Sequence, residues 1–122
     1  MHLALVEDDP SLRFLMEQML QRRGYRVTSF DAPAAAEAAL RADATGFDAV
    51  VTDHGMPSGS GIELARTLRG IRADLRVILV SGYVSEEIRA RAAAAGVWRV
   101  LAKPLSASEL CDVIHALLSA PA

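Results

Sequence analysis

Short apolar runs and amphipathic stretches alternate five times along this 122-residue chain. The apolar runs predict strands, and apolar residues that recur every three or four positions predict the helices between them. The predicted strands span residues 2–7, 26–30, 48–53, 76–80 and 97–102. The second strand is half polar, as at a sheet edge, whereas the third has an apolar centre and is expected to be buried on both faces.

Strict alternation of strands and helices is informative about the fold class. It is typical of a parallel sheet that is covered by helices on both faces and connected by right-handed crossovers. The sequence therefore predicts an α/β fold, a doubly wound (βα)5 arrangement with a five-stranded parallel sheet. We expect residues 1–122 to form a single domain, because the length suits one core and no linker or repeat interrupts the pattern.

Capping residues predict where the helices begin and end. Ser or Asp is favoured just before a helix, and Gly is favoured just after one. Ser60 and Ser106 are each followed three residues later by Glu, which makes a capping box. The predicted caps are Asp9, Asp31, Ser60 and Ser106 at helix starts, and Gly24 and Gly96 at helix ends.

The first predicted helix has an apolar face with one large residue beside it. The face comprises Leu12, Leu15, Met16, Met19 and Leu20. Phe14 lies about half off this face, and on its size we expect it to pack at the sheet edge. The alternative is that Leu12, Phe14 or both form an exposed patch that docks a partner helix. In the last helix, Cys111 lies beside the apolar stripe and is expected to be a small core residue rather than a reactive thiol.

Composition and charge exclude several classes of function. The net charge is −2, and arginines and acids are interspersed, so no basic face points to nucleic acid. No apolar stretch approaches the ~20 residues needed to cross a bilayer, and no secretory leader pattern opens the chain, so membrane contact is not expected. A single cysteine forms no internal disulfide and fits a reducing compartment, which indicates a cytoplasmic protein.

Polar residues follow four of the predicted strands at the point where each strand ends. They are Glu7-Asp8-Asp9, Asp53, Ser81 and Lys103-Pro104. Parallel strands end at a common edge of the sheet, where open α/β folds bind their ligands. The chain has twelve arginines and one lysine, and that lysine is at one of these strand ends. This choice indicates a need for a compact ammonium, which a guanidinium does not imitate.

The chemistry of this residue set indicates phosphoryl transfer. Carboxylates gathered at one edge repel one another, and their desolvation is costly unless a cation joins them. A hard divalent cation resolves this, and Mg²⁺ prefers a few carboxylates, here Asp8 among them, together with waters and a phosphate. Asp53 is then placed to attack phosphorus and form an acyl phosphate. Mg²⁺, the Lys103 ammonium and the Ser81 hydroxyl would stabilise the charge on the transferring group.

Each motif also has an ordinary structural interpretation by itself. Taken singly, the acidic run is a helix start, Asp53 a loop cap, Ser81-Gly82 a turn and Lys103-Pro104 a loop. Their joint order at successive strand ends favours the functional interpretation. None of the three histidines has another His or a Cys at metal-binding spacing. His54 is therefore expected to face solvent, and His2 and His115 are expected to have no role in the site.

Taken together, the motifs resemble the receiver domain of two-component response regulators, the CheY-like family. The matching stretches are Val6-Glu7-Asp8-Asp9, Asp53-His54-Gly55-Met56-Pro57 with Gly61, Ser81-Gly82 and Lys103-Pro104. The resemblance covers essentially the whole chain. It implies a flavodoxin-like strand order, 2-1-3-4-5, and a signalling switch with intrinsic autophosphorylation and autodephosphorylation rather than an enzyme with a separate substrate pocket.

The resemblance also implies roles for the acidic residues. Asp53 is the phosphoacceptor, which takes a phosphoryl group from phosphohistidine on a histidine kinase or histidine phosphotransfer protein. Asp8, Asp53 and the backbone carbonyl of Gly55 ligate Mg²⁺ or Mn²⁺, with Glu7 nearby through water. Phosphorylation then shifts a pre-existing equilibrium and changes a surface on the last two helices, where a downstream protein binds.

The remaining implied roles concern the phosphoryl group and the switch. Ser81 hydrogen-bonds the phosphoryl oxygen, Lys103 pairs with it, and the bond before Pro104 is cis. One departure from the family is Val100, which stands where many receivers have an aromatic switch residue. Tyr83 and Trp98 are the alternative candidates for coupling Ser81 to the last helices. Tyr83 and Gly55 also occupy positions that tune the lifetime of the acyl phosphate.

Other functions compete with this interpretation. A haloacid-dehalogenase-like phosphohydrolase would place its nucleophile after the first strand, in an Asp-x-Asp arrangement, and would carry a cap. A flavodoxin-type module would need a Ser/Thr/Gly loop where this chain is acidic. A docking module that is never phosphorylated is a fourth possibility, against which the complete site argues. The stretches 52–57 and 81–83 are similar to those in receivers of hybrid histidine kinases. The chain can therefore be interpreted either as a stand-alone receiver or as the receiver of a hybrid kinase.

Overall fold

A computed structural model describes residues 1–120 of the chain, in which five helices alternate with the strands of a parallel sheet. Pro121 and Ala122, the last two residues of the predicted domain, lie outside the described residues. The sheet strands are β1 (His2–Val6), β2 (Arg26–Phe30), β3 (Ala49–Asp53), β6 (Arg76–Ser81) and β7 (Arg99–Ala102). The helices are α1 (Pro10–Gln21), α2 (Pro33–Ala42), α3 (Gly61–Ile71), α4 (Glu86–Ala94) and α5 (Ala107–Ser119).

The strand order confirms the predicted α/β fold. All pairings in the main sheet are parallel, and the order is β2-β1-β3-β6-β7, which is 2-1-3-4-5 when only these five strands are counted. The half-polar strand β2 lies at an edge and the apolar strand β3 is buried along its whole length, as predicted. Two further strands, β4 (Gly55–Met56) and β5 (Gly59–Ser60), form a small antiparallel ladder in the loop before α3.

Two hydrophobic cores cover the two faces of the sheet. Alternate residues along each strand point to opposite faces, so one buried set packs with α2, α3 and α4 and the other packs with α1 and α5. Fully burying one Leu or Ile side chain stabilises a fold by about 1.5–3 kcal/mol. Cys111 is buried on the α1/α5 side, as predicted. Among residues 1–120, every helix is too short or too polar to cross a bilayer.

Most of the predicted helix caps are present. Asp9 accepts from the amide of Ser11, and Ser60 and Ser106 accept from amides three residues ahead. The prediction for Asp31 was wrong, because α2 begins at Pro33, its N-cap is Ala32, and no side chain caps it. Proline at the first helical position fixes the cap to the residue before it, and that residue is alanine.

The prediction for the outer face of α1 was also wrong. Phe14 is 63% exposed and Leu15 is 55% exposed, although we expected Phe14 at the sheet edge and Leu15 on the buried face. Met16 and Leu20, one turn apart, are the buried residues of this helix. Positions 14 and 15 are rotated by about 200° and 100° from Met16 at 3.6 residues per turn, so they turn towards solvent.

Candidate functional site

The carboxyl ends of β1, β3, β6 and β7 lie together at one edge of the sheet. Asp53 and Ser81 are the last residues of β3 and β6, and Glu7 and Lys103 follow β1 and β7 directly. Backbone hydrogen bonds continue past the strand ends, where the amide of Lys103 donates to the carbonyl of Ser81 at 2.8 Å. The fold therefore brings together side chains that are far apart in the sequence.

Three acidic side chains form a cluster at this edge. Glu7, Asp8 and Asp53 each offer a carboxylate oxygen, and these oxygens lie within 4.8 Å of one another. Glu7 and Asp53 are 2% and 7% exposed, whereas Asp8 is half-buried. Carboxylates that are buried this closely are stable only if a cation or a proton accompanies them.

Lys103 supplies one cation to the cluster. Its Nζ lies 2.9 Å from Oδ1 of Asp53 and 3.2 Å from Oε1 of Glu7, so one ammonium bridges two buried carboxylates. The second oxygen of Glu7 accepts from the amide of Asp9 at 3.2 Å. Glu7 is thus fixed from two sides. The family resemblance implied a role for Glu7 through water, but nothing in the sequence indicated this direct contact with Lys103.

Burial and neighbouring charges shift the pKa values of Glu7 and Lys103. Burial raises the pKa of Glu7 above its usual 4.5, and the charge of Asp53 adds to the rise, although the amide of Asp9 and Lys103 oppose it. Burial by itself would lower the pKa of Lys103, but its hydrogen bonds and charge interactions with Asp53 and Glu7 outweigh burial and hold that pKa above 10.5. Lys103 is therefore a cation at neutral pH.

The donor set of the cluster fits a hard divalent cation. Three carboxylates and one ammonium leave an excess of negative charge when all are ionised, and every donor atom is oxygen. Gly55, which is exposed and pairs with Ser60 in the β4–β5 ladder, adds a backbone carbonyl close to Asp53 in the chain. This cluster is consistent with metal binding.

The backbone of α3 packs directly against Asp53. A Cβ atom on Gly61 would lie 2.4 Å from the carbonyl oxygen of Asp53 and 2.6 Å from Cδ1 of Leu79. Only glycine therefore allows the start of α3 to approach the end of β3 this closely. The contact fixes the backbone that carries the Asp53 carboxylate.

Ser81 is buried and forms a local hydrogen-bonded loop with Tyr83. Its hydroxyl donates to the Tyr83 carbonyl at 2.6 Å and accepts from the Tyr83 amide at 3.2 Å. Tyr83 as a whole residue is 73% exposed. On the neighbouring strand end, the Lys103–Pro104 peptide bond is cis.

Val100 and Trp98 lie at different positions relative to the end of the sheet that carries Lys103. Val100 lies within β7 and packs against the core shared with α3 and α4. Trp98 precedes β7, and its amide donates to the carbonyl of Val77 near the start of β6. Trp98 is therefore at the end of the sheet opposite to Lys103.

His54 departs from its predicted environment. We expected a solvent-facing loop residue, but the ring is half-buried, and within residues 1–120 its Nδ1 is inaccessible and has no hydrogen-bond partner. The loop that contains the β4–β5 ladder closes at this position, since the amide of Gly61 donates to the His54 carbonyl at 2.9 Å. His2, by contrast, is structural, because its ring bonds Gly46 and Thr28 near the start of β1.

One residue near the cluster was missed at the level of the sequence. Arg13 of α1 reaches back to the loop that carries Glu7 and Asp8. A signal for Arg13 was present in the sequence. The helix dipole favours negative charge near a helix N-terminus, yet the first turn of α1 has no acidic residue and Arg13 follows it.

Comparison with known proteins identifies the family. Residues 3–115 match the response regulator receiver domain. The chain belongs to this family. The receiver protein CpdR of Brucella abortus (strain 2308) is 34% identical over 116 residues, which is 95% of each chain. The sensor kinase CckA of the same organism is 34% identical over 116 residues, which is 93% of this chain but 12% of CckA.

A solved receiver structure agrees with the fold. The non-phosphorylated HemR receiver domain from Leptospira biflexa has a TM-score of 0.90 at 26% identity, over 99% of this chain and 96% of that one. The protein is thus a receiver domain of two-component systems, a signalling switch domain. The family assignment favours this function over the phosphohydrolase and flavin-binding alternatives.

Proposed function

We propose that Asp53 is the phosphoacceptor of this receiver domain and takes its phosphoryl group from a phosphohistidine. The donor is a histidine kinase or a histidine phosphotransfer protein. The observation that carries the proposal is the position of Asp53 at the end of β3, with Lys103 at 2.9 Å and the oxygens of Glu7 and Asp8 within 4.8 Å. Glu7 has similar neighbours, but its two oxygens already accept from the Asp9 amide and from Lys103.

The chemistry follows from these neighbours. A carboxylate oxygen of Asp53 attacks phosphorus, the O–P bond forms as the P–N bond to imidazole breaks, and the imidazole leaves with a proton taken from water. Lys103 pairs with the charge on the phosphoryl oxygens, and the Ser81 hydroxyl donates to one of them. The same site would support autophosphorylation by small phosphodonors and later hydrolysis of the acyl phosphate.

The proposed metal is Mg²⁺, and Mn²⁺ suits the same oxygen donors. Asp8, Asp53 and the carbonyl of Gly55 would hold it, with Glu7 nearby. When bound, it would neutralise the carboxylates and the charge on the transferring group. Lys103 has a complementary task, since it holds Asp53 and Glu7 together while the phosphodonor approaches.

Ser81 provides a route from the site to α4. In this structure its hydroxyl donates to the Tyr83 carbonyl, so donating to a phosphoryl group would release that carbonyl. The released segment leads directly to Ser85, the N-cap of α4. Ala92 is the only buried residue of α4, so this helix is weakly held and suited to respond. The proposal thus assigns the coupling to the 81–85 segment rather than to Val100 or Trp98.

A groove beside α1 supports a docking position for the phosphodonor. Its lining is largely apolar and includes Leu12, Leu15, Met16, Met19 and Leu105, and it reaches Lys103 and Pro104. The exposed Phe14 and Leu15 extend the apolar surface outward. A helix of the donor would pack here, as the alternative interpretation of Phe14 anticipated. A downstream protein would bind the surface of α4 and α5.

The context of the domain is part of the proposal. We propose that residues 1–122 act as one receiver domain in the cytoplasm, where the free thiol of Cys111 is stable. CpdR is covered over nearly its whole length and CckA over a small part, so a stand-alone receiver and a receiver within a larger kinase are both represented among the relatives.

The test is phosphorylation by a small phosphodonor in the presence of Mg²⁺, followed by intact mass. The wild-type protein should gain one phosphoryl group, and Asp53→Asn should gain none, because an amide is not a nucleophile towards phosphorus. Asp8→Ala should raise the Mg²⁺ concentration needed for the reaction. Labelling of Asp53→Asn at the wild-type rate would reject Asp53 as the acceptor. Failure of the wild type to react, even with a phosphorylated histidine kinase, would favour a docking module that is never phosphorylated.

A further inference from the structure

The guanidinium of Arg13 bonds the main chain of the acidic loop rather than its carboxylates. Nη1 donates to the carbonyl of Glu7 at 2.8 Å and makes a longer contact of 3.4 Å to the carbonyl of Asp8. Both carbonyls belong to the turn between β1 and α1. Arg13 therefore binds the backbone of two residues whose side chains form the acidic cluster.

This position of a cation is not explained by the helix itself. Arg13 is the fourth residue of α1, and the macrodipole near a helix N-terminus disfavours positive charge. Arg13 therefore opposes the dipole and gains its contacts from the preceding turn. Glu7 is buried, so its carbonyl needs a hydrogen-bond donor, and Arg13 supplies one.

Arg13 does not occupy the carboxylates of the acidic cluster. Because Arg13 uses carbonyl oxygens as acceptors, the carboxylate oxygens of Glu7 and Asp8 are not consumed by it. Glu7 is otherwise fixed by its amide, which donates to Phe30, and by its side-chain contacts with Asp9 and Lys103. Asp8 has fewer such contacts, so Arg13 is the side chain that ties its backbone to α1.

We propose that Arg13 is a positioning residue for the cation site: it holds the β1–α1 turn so that the carboxylates of Glu7 and Asp8 face Asp53. The inference rests on the proposed function, because it concerns the same Mg²⁺ site. It acts through Asp8 and Glu7, and Arg13 itself contacts neither phosphoryl group nor metal. Orienting partners of this kind typically contribute about 10–100-fold to metal affinity.

The test is the Mg²⁺ affinity of Arg13→Met, measured by calorimetric titration at constant ionic strength. Removing a cation close to an acidic cluster should strengthen Mg²⁺ binding if only long-range charge matters. If Arg13 positions the carboxylates, the Mg²⁺ affinity of Arg13→Met should instead fall by about tenfold. Arg13→Lys keeps the charge, but its compact ammonium imitates the guanidinium poorly, so its affinity should fall between wild type and Arg13→Met.

Arg72→Met is the matched control. Arg72 also donates to two backbone carbonyls, those of Ala44 and Phe47, but it follows α3 at the opposite end of the sheet. Arg72→Met removes the same charge and a similar pair of hydrogen bonds to backbone carbonyls, but far from the acidic cluster. The Mg²⁺ affinity should therefore stay within about twofold of wild type at 0.15 M salt.

The outcomes separate this inference from the proposed function. Tight binding by wild type with an affinity of Arg13→Met equal to wild type or tighter would overturn the positioning role alone. Wild type that binds no Mg²⁺ would overturn the proposed metal site and the inference with it. If Arg13→Met does not fold, as judged by circular dichroism, Arg13→Lys decides, and wild-type affinity in that variant contradicts positioning.

Discussion

Lys103 illustrates at the residue scale how one side chain satisfies two buried carboxylates. Its Nζ lies 2.9 Å from Asp53 and 3.2 Å from Glu7, and their charges hold its pKa above 10.5 despite burial. A guanidinium is planar, wider and more rigid than an ammonium, so it cannot occupy the same point between two carboxylates. This explains why a chain that otherwise uses arginine has lysine at this position.

Lys103→Arg should therefore impair phosphorylation although it keeps the charge. We expect the initial rate with a small phosphodonor at saturating Mg²⁺ to fall by about tenfold, equivalent to about 1.4 kcal/mol of barrier. Arg91→Lys, an exchange between the same residue types at an exposed position of α4, is the control and should keep the wild-type rate. A wild-type rate in Lys103→Arg would mean that the single lysine has no special role.

The membership of the site was predictable from the sequence, but its contacts were not. Asp53 and Ser81 end their strands and Lys103 directly follows one, and parallel strands end at a common edge of the sheet whatever the conformation of the loops. The contacts of Glu7 with Lys103 and of Arg13 with the acidic loop depend on how the β1–α1 turn folds back. No periodicity or spacing encodes that turn.

At the scale of elements, α3 shows how one glycine positions the acceptor strand. The start of α3 approaches the end of β3 so closely that a Cβ on Gly61 would overlap the Asp53 carbonyl. Gly70, near the other end of the same helix, has no atom within 4 Å of its added Cβ. The two glycines therefore differ in environment although they belong to one helix.

Alanine substitutions at these two positions should have opposite effects on stability. Gly61→Ala should lower the free energy of unfolding by about 1–3 kcal/mol, because the extra methyl forces α3 away from β3. Gly70→Ala should raise it by about 0.5–1 kcal/mol through helix propensity. Urea unfolding in metal-free buffer measures both. Equal changes in the two variants would show that α3 does not pack against Asp53 as described.

The errors at the element scale have local causes. Asp31 was predicted to cap α2, but Pro33 fixes the cap at Ala32. Periodicity identified α1 correctly, but it did not fix which apolar residues face the sheet, and Phe14 and Leu15 are exposed. His54 was predicted to face solvent, but it is half-buried in a loop that closes through a two-residue ladder too short to leave a pattern in the sequence.

At the scale of the whole molecule, the fold concentrates negative charge at one edge of the sheet. The two cores on either face were predictable, because strand–helix alternation requires apolar residues on both sides of each central strand. A cost of gathering carboxylates at this edge was also predictable, but which carboxylate bears it was not, since that depends on the burial of Glu7 beside Asp53. That cost makes the stability of the metal-free protein depend on pH.

The sign of this dependence follows from the raised pKa of Glu7. A carboxyl that holds its proton more tightly when folded stabilises the fold below its ordinary pKa of 4.5, and this contribution is lost as pH rises through the higher folded pKa. Above 4.5, the free energy of unfolding of wild type relative to Glu7→Gln should therefore fall with rising pH.

Urea unfolding of both proteins across this pH range, in metal-free buffer, checks the prediction. The exposed Asp74, whose pKa is lowered by its hydrogen bond to Arg72 and by the Arg72 charge, acts in the other direction, but below its ordinary value of 3.8, outside this window. A difference between wild type and Glu7→Gln that rises with pH, or stays flat, would contradict the account of Glu7.

The most direct measurement is the location of the acyl phosphate in the phosphorylated protein. Borohydride reduces a phosphorylated aspartate to homoserine, which peptide mass spectrometry can assign to one position. We predict homoserine at position 53 alone, and only when Mg²⁺ and a phosphodonor are both present. Homoserine at Asp8 or Asp9, or a phosphorylated protein that resists reduction, would contradict the claim that Asp53 is the phosphoacceptor.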